Sequence, residues 1–184
     1  YRWCAKTSAP DVHALAETVE AWWPEIEAFL RDPSSDDIAF AKVVDAFLQS
    51  ERFGERCSTA AAVREQHGRD ESAFTTVPPP AAVVFAESTQ DVADAVKLAS
   101  AHEVPVIPFG VGSSLEGHLL AVQGGISIDV GRMNRVLSIN PEDLTVTVQP
   151  GVTRKQLNDE IKNTGLFFPI DPGADASLGG MCAT

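Results

Sequence analysis

Basic residues are scarce in this chain: 14 lysines and arginines stand against 26 aspartates and glutamates, for a net charge of −12. That balance argues against nucleic acid or an anionic membrane surface as a partner. It also restricts any phosphate site to backbone amides and hydroxyls more than cationic side chains. Cysteine is equally sparse. Cys4, Cys57 and Cys182 lie far apart with no CxxC pair, which excludes a disulfide framework or a zinc site and fits a reducing compartment. No apolar run approaches the roughly 20 residues needed to span a bilayer. No internal repeat is present. Tyr1 stands where an initiating Met would, so the N-terminus is expected to be processed or incomplete, with any targeting peptide upstream.

What is present reads as a globular chain: 184 residues, 44% hydrophobic and 22% charged, within the ordinary range for folded domains. Asp11 caps an expected helix in which Leu15, Val19 and Trp22 recur at helical spacing, interrupted at Pro24, with Trp22 and Trp23 as packing anchors. A second helix is expected over Asp36–Gln49, and a third over Ser58–Gln66 ending at Gly68. Pro78-Pro79-Pro80 is a stiff spacer that neither a helix nor a central strand could contain. Beyond it, Ala81–Phe85 reads as a buried strand. Ser88 caps a helix with Asp91 three residues on, and Val104–Pro108 reads as a second strand, so residues 81–108 form a β-α-β unit. Strands are expected at Gly125–Val130, Val136–Asn140 and Leu144–Gln149, the last two joined by the turn Pro141-Glu142-Asp143. Thr153 caps a helix closed by Gly165, and Ser177 caps one more. The expected class is α+β: a helical segment over residues 1–77, then a domain over 78–184 made of the β-α-β unit, a β meander and a helix.

Three glycine-bearing segments stand at strand ends or helix starts. Gly110-Val111-Gly112-Ser113-Ser114 follows the strand ending at Phe109, and its successive N–H groups and hydroxyls make an anion nest. A Walker A loop would need Lys where His118 stands. A Rossmann fingerprint would need Gly where Leu115 stands, and the path from Glu116 to Gly124-Gly125 is too short for a crossover helix. That leaves Asp129 without the ribose-binding role its spacing would suggest. Gln149-Pro150-Gly151 is the second segment and Asp171–Thr184 the third. One extended ligand bearing a diphosphate accounts for all three.

Pro108–His118, Val148–Arg154 and Asp171–Met181 closely resemble the corresponding motifs of the FAD-linked D-lactate dehydrogenases of the cytochrome type. These belong to the vanillyl-alcohol-oxidase and p-cresol-methylhydroxylase (PCMH) type of FAD-binding flavoproteins. Val63–Ser72 and Pro79–Phe85 also resemble that family's entry into the flavin domain. The resemblance covers about residues 52–184. It implies an FAD pyrophosphate held by Pro108, Phe109, Gly110, Val111, Gly112, Ser113 and Ser114, with Leu115, Gly117 and His118 beside it. It further implies that Gln149, Pro150 and Gly151 line the cleft, while Pro172, Gly173, Ala174, Ser177, Leu178, Gly179, Gly180 and Thr184 wrap the pyrophosphate and ribityl chain. Val111 stands where the family more often has a hydroxyl-bearing residue, and Cys182 replaces a usual Ala as a small packing residue. His67 and Arg69 read as structural polar contacts.

The same resemblance implies oxidation of D-lactate or another D-2-hydroxyacid, electron transfer to cytochrome c, noncovalent FAD and a mitochondrial setting. It places the general base, the substrate-carboxylate Arg and any metal-binding His cluster beyond Thr184, so no catalytic residue or metal ligand is assigned. Three other readings stay open: a glycolate oxidase subunit, an alkyl-glycerone-phosphate synthase-like flavoprotein, and an FAD-binding module without activity of its own.

Overall fold

The computed structural model describes residues 33–73 and 77–183. The expected helix from Asp11, with Trp22 and Trp23, lies outside them, as do Cys4 and Thr184. Contacts divide the chain after Ile38, and residues 39–184 form one unit, to which the following description applies. Helix α1 (Pro33–Gln49) begins before that division. Its Val43 and Phe47 are fully buried, and the Phe47 ring meets Phe53 edge-on at 5.4 Å between centroids.

Two sheets follow. The first contains β1 (Cys57–Ser58), β2 (Ala82–Phe85), β3 (Val106–Phe109) and β4 (Ile126–Asp129), in the order β1-β2-β4-β3. Strands β2, β4 and β3 are parallel, while β1 is antiparallel to β2. Strands β2 and β4 are buried along both faces, as strands inside a covered parallel sheet are, while Pro108 of β3 is exposed. Pro108 is tolerated in β3 because β3 is an edge strand, where a missing N–H costs no central ladder bond. The third helix is shorter than expected. Cys57 and Ser58 pair with Val84 and Val83 as β1 instead, and α2 runs over Ala61–His67.

The β-α-β unit is present, with α3 (Thr89–Ala101) as its crossover. However, β4 inserts between its two strands. The expected meander is therefore corrected in one respect: β4 joins the parallel sheet, and only β5 (Val136–Asn140) and β6 (Thr145–Val148) form an antiparallel hairpin of their own. The stretch between β3 and β4 contains no helix, as its length requires. Helix α4 (Arg154–Ile161) starts at Thr153, whose Oγ1 accepts from the Gln156 N–H at 3.2 Å. Gly165 closes its final turn with φ 78°. Helix α5 spans Leu178–Ala183, where Ser177 Oγ accepts from the Gly180 N–H.

Two apolar clusters result. The larger joins Val43, Phe47, Phe53, Cys57, Ala82, Val84, Ala95, Ile126 and Ile128, between α1, α3 and one face of the parallel sheet. The smaller joins Val152, Leu157, Ile161 and Leu178 under the β5–β6 hairpin.

Helix α3 is anchored by more than its cap. Ser88 Oγ accepts from the Asp91 N–H at 3.1 Å, and the Asp91 carboxylate accepts from the Glu87 N–H at 3.0 Å. That carboxylate, 5% exposed, also receives Arg52 Nε at 2.6 Å and Arg56 Nη1 at 2.8 Å. The Arg56 hydrogen bonds hold the carboxyl well below the ordinary carboxylate range against the opposing effect of burial, with help from the Glu87 N–H, Arg52 and Ser88. A depressed carboxyl stabilises the fold above its unfolded value, about 3.9, and loses that contribution as pH falls toward the folded value. Asp91→Asn is therefore expected to cost about 2 kcal/mol in urea denaturation at neutral pH, because two guanidinium groups lose their counter-charge. The cost should shrink below about pH 4. A pH-independent cost would mean that charge is not what holds this corner.

Candidate functional site

The carboxyl ends of the parallel strands lie in register: Phe85 beside Asp129, and Asp129 beside Phe109. In-register residues share a face, so these three side chains form a row across the sheet. His67, the last residue of α2, is buried over that row. Its ring lies 4.2 Å from the Phe109 ring and 5.8 Å from the Phe85 ring, centroid to centroid. His67 Nε2 is 2.9 Å from Asp129 Oδ2, and Nδ1 is 2.8 Å from the Val63 carbonyl oxygen. Both ring nitrogens thus face acceptors, and only the imidazolium has two N–H donors to satisfy them. Burial works against the charged ring, but the Asp129 hydrogen bond, the Val63 carbonyl and the Asp129 charge outweigh it and raise the pKa above its ordinary value.

The Gly110 loop leaves the sheet at the end of this row. Gly112 has φ 80°, the left-handed conformation that turns successive N–H groups toward one point. Among the described residues, none accepts a hydrogen bond from the N–H groups of Val111, Gly112 or Ser113. Ser114 is held from both sides: its carbonyl accepts from the Glu71 N–H at 2.9 Å, and its Oγ lies 3.2 Å from His118 Nδ1. The neighbouring Asp70 carboxyl is raised by burial, but hydrogen bonds from Ser72, Gly117 and Ser114 more than offset this and leave it below its ordinary value.

The other two glycine segments close on this loop. Residues 150–154 and 176–179 are zipped together. The Leu178 N–H donates to the Val152 carbonyl at 2.8 Å, the Gly179 N–H to the Pro150 carbonyl at 2.9 Å, and the Arg154 N–H to the Ala176 carbonyl at 3.1 Å. A Cβ at Gly179 would lie 2.6 Å from Pro150 Cβ. One at Gly151 would strike the carbonyl oxygens of Val130, Gly131 and Met133, all within 2.9 Å. One at Gly110 would lie 2.6 Å from Ser177 Oγ, and Ser177 is buried.

Of the residues expected at the site, the structure brings together Pro108 to Ser114, Pro150, Gly151 and Ser177 to Gly180. Others sit apart. Leu115 is 71% exposed, and His118 is exposed at the outer end of the loop. Gln149 is committed to Arg135, accepting its N–H on Oε1 at 3.0 Å. Pro172, Gly173 and Ala174 lie on an exposed bend, and nothing comes within 4 Å of where a Gly173 Cβ would be. The bend is tethered by Arg154 Nη1 to Asp171 Oδ2 at 3.3 Å and by the Lys155 N–H to Asp175 Oδ1 at 3.0 Å. Cys182 is exposed, so it does not serve as the packing residue expected of it. The His67–Asp129 pair was not legible as a unit, because 62 residues separate its members.

The residues present fit a diphosphate. Three successive N–H groups without an acceptor among the described residues stand at a left-handed glycine, and glycines bring neighbouring backbone to contact distance. Neutral donors of this kind suit a dianion in a protein of net charge −12.

Comparisons with known proteins agree with that geometry. The family described as FAD binding domain matches residues 80–184. The probable mitochondrial D-lactate dehydrogenase of Danio rerio is 48% identical over 151 residues, covering 82% of this chain and 30% of that protein. The mitochondrial D-lactate dehydrogenase [cytochrome] of Arabidopsis thaliana is 44% identical over 119 residues, covering 64% of this chain and 21% of that protein. The chain therefore spans less than a third of the length of either. Among solved structures, an alkyldihydroxyacetonephosphate synthase superposes with TM-score 0.66 at 27% identity, over 79% of this chain and 31% of that one. A substrate-bound p-cresol methylhydroxylase superposes with TM-score 0.57 at 25% identity, over 70% of this chain and 25% of that one.

The Gly110–Ser177 contact yields a direct test. Gly110→Ala should destabilise the protein by about 1–3 kcal/mol through overpacking. Removing the obstructing hydroxyl with Ser177→Ala should relieve part of that cost. The two substitutions should then couple favourably by about 1 kcal/mol in a double-mutant cycle read by urea denaturation. Strict additivity would show that these segments do not touch.

Proposed function

Because the chain belongs to the FAD binding domain family, we propose that residues 78–184 form the diphosphate-holding part of a flavoenzyme that oxidises D-lactate, or a closely related D-2-hydroxyacid, to the 2-oxoacid. FAD is the cofactor. The observation that carries the assignment of the site is the set of N–H groups at Val111, Gly112 and Ser113 without an acceptor among the described residues, beside the Gly110–Ser177 contact with the zipped segments 150–154 and 176–179. When bound, the flavin supplies the two-electron acceptor, and the protein's task is to place and surround it.

In this reading the Gly110–Ser114 backbone receives the diphosphate. Ser113 and Ser114 add hydroxyl donors, and Ser177 to Gly180 close the opposite wall. Pro150 and Gly151 set the spacing between the walls, because their carbonyl and N–H groups tie the parallel sheet to α5. His118 is exposed and engaged with Ser114, and the likeness to D-lactate dehydrogenases supports a cofactor held without a covalent bond to it. The substrate class comes from the likeness to D-lactate dehydrogenases, as do a mitochondrial location and cytochrome c as the electron acceptor.

The test uses the whole protein. Purified, it should carry flavin absorbance that D-lactate bleaches anaerobically, faster than glycolate or D-2-hydroxyglutarate does, and reduced protein should pass electrons to cytochrome c. Acid precipitation should release all of the yellow colour to the supernatant. Protein without flavin would defeat the cofactor assignment. Flavin that no D-2-hydroxyacid reduces would defeat the substrate class alone.

A further inference from the structure

We infer that His67, as the imidazolium, is a positioning residue for the cofactor diphosphate, acting through Asp129 on the turn that supports the glycine segments. The inference rests on the reading of the Gly110 loop as the diphosphate site.

Asp129 is shared between two partners. Its Oδ2 faces His67 Nε2, while its Oδ1 accepts from the Gly131 N–H at 2.6 Å. The Gly131 turn in turn carries the second segment. The Gly151 N–H donates to the Met133 carbonyl at 2.8 Å, and the carbonyls of Val130, Gly131 and Met133 form the floor on which Gly151 rests. Pro150 then receives Gly179, and Ser177 meets Gly110. Gly110 follows Phe109, on whose ring His67 lies. The contacts close into a circuit that both begins and ends at His67.

The pair also settles the charge at the site. Asp129 is the charged group facing His67 from β4. From β2 and β3 the facing side chains are the neutral Phe85 and Phe109. Arg132 lies over the Phe85 ring, 4.7 Å from its centroid, and is paired with Glu87 at 2.8 Å. With the imidazolium present, the Asp129 carboxylate is balanced. When His67 loses a proton, one ring nitrogen presents a lone pair to an acceptor, either Val63 O or Asp129 Oδ2. The carboxylate is then left unbalanced at the foot of a loop meant to hold a dianion. Because the Asp129 and Val63 hydrogen bonds and the Asp129 charge raise the His67 pKa against the opposing effect of burial, the favourable state is complete at low pH and is lost as pH rises through that value.

The experiment measures FAD dissociation constants of the whole apoprotein by flavin fluorescence, from about pH 6 to about pH 9. Wild-type affinity should fall about tenfold across the His67 transition. His67→Gln keeps a donor toward Asp129 but no charge, so its affinity should be weak and independent of pH. Asp129→Asn removes the carboxylate and should also abolish the pH dependence. A flat wild-type profile overturns the inference. So does a His67→Gln protein that melts at lower temperature yet keeps wild-type affinity and profile, since that is the behaviour of a purely structural residue. If His67→Gln does not fold, the wild-type and Asp129→Asn profiles decide. Wild-type protein that takes up no FAD at any pH overturns the cofactor site together with this inference, and is thereby distinguished from a flat profile.

Discussion

The contact between Gly110 and Ser177 sets the geometry on which the rest of the site depends. With only 2.6 Å between a would-be Cβ and a buried hydroxyl oxygen, the parallel sheet and the last helix can meet there only through a residue without a side chain. That approach brings together parts of the chain that belong to different apolar clusters. Gly110 grows from the sheet packed on α1 and α3, while Ser177 is fixed by Leu178, which is buried with Val152 and Leu157. The loop that follows Gly110 is left with N–H groups that find no acceptor among the described residues.

Charge explains why the site is built from backbone. A protein with nearly twice as many acids as bases has few cations to spend on a phosphate, and four of its arginines are committed elsewhere. Arg52 and Arg56 hold Asp91 at the start of α3, Arg132 pairs with Glu87, and Arg154 tethers Asp171. Oriented amides supply positive potential without a side chain to desolvate. The carboxylate at the end of β4, Asp129, comes with its own counter-ion in His67.

Local features of the fold were legible in the sequence because their causes are local. Ser88 and Thr153 each cap the helix expected of them, the Pro141-Glu142-Asp143 turn joins a hairpin, and the short path after Gly117 forbids a crossover helix. The glycine segments that meet were also legible, because glycines at strand ends and helix starts have few other uses. Features that depend on remote partners were not. Nothing near Cys57 announces a strand, since the strand it pairs with, β2, is remote in sequence. Nothing near Ile126 shows that β4 enters between β2 and β3 rather than continuing as a meander. The pairing of Asp91 with Arg52 and Arg56 spans 39 and 35 residues, and that of His67 with Asp129 spans more. Leu115 and Pro172 to Ala174 share the glycine-rich neighbourhood of the segments that meet but are exposed, which residue type alone does not reveal.

The central claim is that unpartnered amides at Val111, Gly112 and Ser113 receive the FAD diphosphate. Amide hydrogen exchange on the whole protein, with and without FAD, tests it most directly. Without acceptors among the described residues, these amides should exchange fast in the apoprotein and become strongly protected when FAD is added. Unchanged exchange at these three amides, with protection confined to other segments, would contradict the account.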